Sequence, residues 1–133
     1  VSAAVYTTLN VAALTALAPG GVGDAIEQLT VFPNVLYEVR ERIVGGFGSK
    51  PGTGKRTLEI DLRLHVFSQH AGFIEAQQIM AKCIELLADA PAVTGYGSWA
   101  IFHDETVPLP GEMVAGQRVN ELVGLFRLMV SES

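Results

Sequence analysis

Cysteine is nearly absent: Cys83 stands alone among 133 residues. One thiol excludes an internal disulfide framework and any zinc site built from several cysteines. A reducing compartment is the simplest expectation. Charge is sparse as well, at 17% of the chain. No apolar run approaches the roughly 18–20 residues that cross a bilayer, so no membrane partner is expected. No basic n-region precedes an apolar block and cleavage site near the N-terminus, so no signal peptide is expected either. Positive charge is scarcer than negative, nine Lys and Arg against fourteen Asp and Glu, for a net charge of −5. A dedicated nucleic-acid binder usually carries the opposite balance. What the chain does have is apolar substance: 49% of its residues are hydrophobic, enough for one core in one domain spanning residues 1–133.

The charge is unevenly placed. Residues 1–33 carry −2, residues 34–68 carry +2 and residues 69–133 carry −5. Such polarity suits a protein that touches copies of itself or a charged partner.

Helical spacing of Val5, Leu9, Ala12, Ala13 and Ala16 predicts a helix over residues 2–18, stopped by Pro19-Gly20-Gly21. Its alanines suggest close packing on a sheet. Residues 19–33 read as a connector, with a short strand or turn somewhere within Ala25–Val31. Asn34–Val44 reads as a strand. Leu58–Phe67 is the clearest strand, because Leu58, Ile60, Leu62, Leu64 and Val66 alternate strictly with polar residues. Pairing the two strands antiparallel places Glu38, Arg40 and Arg42 near Glu59, Asp61 and Arg63 as a charged interface. A second helix is expected over Gln69–Ala90, with Ser68 as its cap and Phe73, Ala76, Met80, Cys83 and Leu87 on its apolar stripe. Trp99–Val107 and Arg118–Val130 read as the last strands, the latter apolar on both faces. Val107–Gly111 and the next few residues are expected to link them, with Pro108 and Pro110 barring a regular ladder there. The fold class expected is α+β, a mostly antiparallel four-stranded sheet with two helices in the order α-β-β-α-β-β.

Chemistry is thinly represented. GGFGSKPGTGKR at Gly45–Arg56 looks like a phosphate-binding loop but fails in detail. The position five before Gly54 is Ser49 rather than Gly, Arg56 stands where a magnesium-binding Ser or Thr belongs, and a strand follows instead of a helix. His103-Asp104-Glu105 cannot converge on one metal, because strand neighbours point to opposite faces; His103 and Glu105 alone could share one. His65 and His70 read as exposed histidines at a strand–helix junction. Cys83 reads as a core residue without an activating environment. No G-x-S-x-G elbow is present. No catalytic residue, cofactor or metal is therefore expected, and the chain is expected not to be an enzyme.

The feature that stands out is the hairpin loop at 45–57, far longer than the usual two to five residues. It reads as an assembly arm carrying Phe47, Ser49, Lys50, Pro51, Lys55 and Arg56, ordered on contact with a neighbouring subunit or partner.

Five segments then carry a resemblance. They are VYTTLNVAALTALA at residues 5–18, Phe32-Pro-Asn-Val-Leu-Tyr37, Leu64-His-Val-Phe-Ser68, Phe73-Ile-Glu-Ala76 and the closing strand Leu122 to Val130. In this order they resemble the tail-completion, or tail-terminator, proteins of long-tailed bacteriophages, over nearly the whole chain. The resemblance implies a virion structural protein assembled in the host cytoplasm and placed at the head-proximal end of the tail. It implies a ring, typically a hexamer, that caps the tail tube, ends its polymerisation and joins tail to head connector. DNA then passes through the lumen without specific binding. The alternatives are a head-completion or neck subunit and, in another class, a small oligomeric enzyme or ligand-binding domain with a concave pocket.

Overall fold

The computed structural model describes residues 2–24, 31–43, 57–70, 72–88, 96–114 and 116–132. Residues of low helix propensity, Asn10 and Val11, split the first expected helix. The result is α1 (Ser2–Leu9) and α2 (Ala12–Thr15), with Val11 extended between them at φ −122° and ψ 155°. This break resets the helical phase. Val5, Leu9, Leu14 and Ala18 are buried, whereas Ala12, Ala13 and Ala16 face solvent. The expectation that the alanines pack on the sheet is thereby corrected.

The strands are β1 (Val22–Asp24), β2 (Asn34–Ile43), β3 (Thr57–Ser68), β4 (Tyr96–Val114) and β5 (Gln117–Glu132), with α3 (Ile74–Ala88) between β3 and β4. They form one sheet in the order β1-β2-β3-β5-β4. The fold is α+β, but the described residues form a sheet of five strands rather than four, and three helices rather than two. The sheet is mixed because β1 runs parallel to β2. With three residues, β1 is too short to show alternation. It forms because Gly20 lets two backbones meet: its N–H donates to the Pro33 carbonyl at 2.9 Å, and the Gly21 carbonyl accepts from the Val35 N–H at 3.0 Å. A Cβ on Gly20 would lie 1.9 Å from the Val31 carbonyl oxygen.

β2 and β3 pair antiparallel as expected, from Asn34 opposite Phe67 to Ile43 opposite Leu58. One face of the sheet presents Val35, Ile60, Leu64, Val66, Leu128 and Val130, all fully buried against the helices. From α3, Ala76, Ile79, Met80, Cys83 and Leu87 complete this core. The helix approaches closely because position 124 is glycine; a Cβ there would stand 2.7 Å from the Met80 sulfur.

The helix starts at Ile74, five residues later than expected. Ser68 is no helix cap. Buried completely at the end of β3, it donates its hydroxyl to the Glu75 carboxylate at 2.8 Å and accepts the His70 N–H at 3.1 Å. Asn120 of β5 ties the same turn down, donating to the carbonyls of His70 and Gly72, both at 3.0 Å.

β4 extends past its expected end at Val107 through Pro108 and Pro110 to Val114, while the ladder is irregular there as expected, with a register shift between Leu109 and Glu112. It lies at the sheet edge, where a residue without an N–H can turn its nitrogen away from the ladder. Register shifts at His103/Glu105 and Leu109/Glu112 absorb the remaining irregularity. β5 is covered on its second face only in part: Val119 and Val123 are buried there and Leu125 is half-buried. Its even-numbered residues meet the helices, while Arg127 and Met129 on the other face are exposed.

Candidate assembly surfaces

The sheet face turned away from the core carries an array of charge. The register sets Glu38 opposite Arg63, Arg40 opposite Asp61 and Arg42 opposite Glu59. The backbone register thus sets the six residues named from the sequence opposite one another, acid against base. Each such pair contributes roughly 0.2–1 kcal/mol, so together they specify register more than they stabilise. On its other side Asp61 is opposite Arg127 of β5, and it therefore sits in a row between two arginines. Glu38, Arg40, Asp61 and Arg63 enclose a dent of about 20 Å³, room for about one water molecule.

His65 stands at one end of this array. Its Nε2 is 3.5 Å from Glu38 and its Nδ1 3.4 Å from Glu121. It is not the freely exposed histidine expected from sequence, because β5 brings a second carboxylate from 56 positions away. Toward β4 the face turns apolar. Phe102, Leu109 and Met129 are 48%, 39% and 38% exposed. Arg127 spans the boundary, 3.6 Å from Asp104 and 5.7 Å from the centre of the Phe102 ring. The helices that build the core all lie on the opposite side of the sheet.

The His103-Asp104-Glu105 run differs in one respect from its sequence reading. The register shift leaves His103 opposite Phe126 on the core side and Glu105 opposite Leu125 on the charged side, so these two do not share a face. His103 instead accepts or donates a hydrogen bond with Thr106 at 2.8 Å and packs its ring 4.9 Å from that of Phe126. No group of three metal-ligating side chains occurs among the described residues. Burial pushes the Cys83 thiol from its ordinary 9.0 up to about 12, which keeps it protonated and unreactive. No helix among the described residues is long and apolar enough to cross a membrane. The expected arm residues Phe47, Ser49, Lys50, Pro51, Lys55 and Arg56 lie outside the described residues.

The whole fold has a counterpart among solved structures. It is similar to a chain from the "Virion of native gene transfer agent (GTA) particle", with a TM-score of 0.72 and 22% sequence identity. The match covers 98% of this chain and 94% of that one. No curated protein matches the sequence significantly. A family profile does: that of "Tail completion protein gp17" matches residues 3–121. The chain belongs to the tail completion protein gp17 family, as a structural protein of bacteriophage-type tail assembly.

Proposed function

We propose that this protein is a tail terminator: copies form a ring, six by the family resemblance, that caps the finished tail tube and stops its growth. The ring's other side meets the head connector, and DNA passes through its lumen. The observation that carries this reading is the family match over residues 3–121. The one-sided architecture supports it, since a face bearing both a charge lattice and exposed Phe102, Leu109 and Met129 suits contact with protein rather than solvent alone. The net charge of −5 favours a lumen along which DNA slides, because phosphate capture needs basic residues. In this reading the 45–57 segment is the arm that meets the tail tube or a neighbouring subunit, through Phe47, Ser49, Lys50, Pro51, Lys55 and Arg56.

The test is to incubate the purified protein with growing tail tubes and measure tube length by electron microscopy. The terminator reading expects capped tubes of arrested length. Tubes that keep growing, with the protein binding only the head connector, would replace it with a neck subunit. Deleting Ser49–Lys55 should preserve the fold and weaken capping; normal capping by that variant would remove the arm from the mechanism.

A further inference from the structure

Two surface features lie apart from the charged sheet face, at opposite edges of the sheet. The first is the outer side of α1 and α2. No Asp, Glu, Lys or Arg occurs before Asp24, and the solvent side of these helices presents Ala3, Tyr6, Ala12, Ala13, Ala16 and Leu17. Tyr6 and Leu17 are 41% and 40% exposed. A helix facing only water normally carries charge on its outer side; this pair carries none.

The second is a groove of about 370 Å³ beside α3. It exists because α3 packs mainly over β3 and β5 and leaves the core side of β4 partly uncovered. Phe73, Met80 and Ile84 form one wall, Thr106 and Pro108 of β4 the other, and Leu122 of β5 lies between. None of its described lining residues is ionisable.

We infer that neighbouring copies of this chain join by seating the uncharged α1–α2 surface of one subunit in the α3–β4 groove of the next. This rests on the ring reading and names its subunit interface. Charge selects the occupant. A groove whose described lining carries no ionisable group penalises any partner that brings a charge, since an unpaired charge is strongly disfavoured away from water. The sheet face is studded with Glu38, Arg40, Asp61 and Arg63, and the outer side of α3 carries Lys82 paired with Glu85. The α1–α2 surface is uncharged, and its alanines let a neighbouring helix come close. Position selects the geometry. α1 packs beside β1 and α3, whereas the groove opens at β4, and these strands are the two edges of the sheet. Two different patches at opposite edges generate a head-to-tail contact, the kind that closes into rings.

The experiment introduces Thr7→Cys and Gln77→Cys, both at exposed positions, one on each surface. The native Cys83 is fully buried and stays silent. The protein is incubated with tail tubes, mildly oxidised and run on a denaturing gel. The double variant should give a ladder of covalent oligomers, and each single variant only monomer. Independently, Tyr6→Glu and Ala81→Glu should each abolish assembly while keeping the wild-type circular dichroism spectrum. Mixed one to one, they retain one intact interface and should form dimers. Wild-type rings visible by electron microscopy without a ladder would overturn the interface and leave the ring reading standing. A dimer band from Thr7→Cys alone would indicate a two-fold contact and overturn it too. Absence of rings from wild-type protein on tubes would remove both.

Discussion

Asn120 holds His70: the side-chain amide of one donates to the carbonyl oxygen of the other at 3.0 Å, across 50 positions of sequence. A second bond from the same amide reaches Gly72. A buried side chain thereby fastens the turn between β3 and α3 to the neighbouring strand β5, and with it the start of the helix that walls the groove.

Replacing Asn120 by Ala strands two carbonyls that it now satisfies. The expected cost is about 1–3 kcal/mol, read as a lower urea midpoint with unchanged slope. Amide hydrogen exchange should accelerate around residues 68–73 before it does so in the centre of β3.

Gly20→Ala and Gly21→Ala should both destabilise, for different reasons. At Gly20 the new methyl would meet the backbone oxygen of Val31 at 1.9 Å, and backbone cannot step aside as a side chain can. At Gly21 there is space, but φ is +90°, a conformation costing an L-residue about 1–2 kcal/mol. Thermal unfolding should rank Gly20→Ala as the more damaging. It should also loosen the pairing of β1 with β2, since the Gly20 and Gly21 bonds flank it.

Cys83 predicts an alkaline weakness. Its thiol titrates near 9.0 when unfolded and near 12 when buried, so the folded state holds its proton more tightly. Stability from this group is complete below about pH 9 and falls as pH rises from 9 toward 12. The limiting slope is about 1.4 kcal/mol per pH unit. Denaturant midpoints between pH 8 and 10.5 should fall more steeply for the wild type than for Cys83→Ala. Equal slopes would show that the thiol is not the cause. The same burial predicts no labelling of the native protein by thiol reagents at neutral pH.

Arg40 and Asp61 face each other on the sheet, but Arg40 is exposed. Arg40→Ala should therefore change stability by less than about 1 kcal/mol. If this face meets a partner, as proposed, reversal to Glu should impair tail capping far more than it impairs folding. A capping assay run beside a melting curve separates the two.

Much of this architecture is legible in the residues, and the losses have identifiable causes. Strict alternation from Leu58 to Val66 gives β3, and antiparallel pairing with β2 then sets Glu38, Arg40 and Arg42 against their counterparts. Period and pairing are local properties, so sequence carries them. β1 is not legible, because three residues cannot display a period and its pairing depends on glycines at 20 and 21. The exposure of Ala12, Ala13 and Ala16 is not legible, because the break at Asn10 and Val11 rotates everything after it. The continuation of β4 past Val107 hides behind Pro108 and Pro110, which forbid a central strand but not an edge. The clamp of Glu121 on His65 depends on the β3–β5 register, fixed by packing of distant segments. It leaves no trace in the spacing of either residue.

The prolines and shifted register of β4 have one more consequence. A part made in many copies, waiting for a template, must not find its own copies by backbone alone. An edge of 19 residues would invite endless strand addition. Pro108 and Pro110 remove two donors, and the shifts at His103/Glu105 and Leu109/Glu112 spoil the spacing of the rest. Aggregation by the generic chemistry of the peptide bond is thus suppressed, and side chains alone are left to decide which neighbours this subunit accepts.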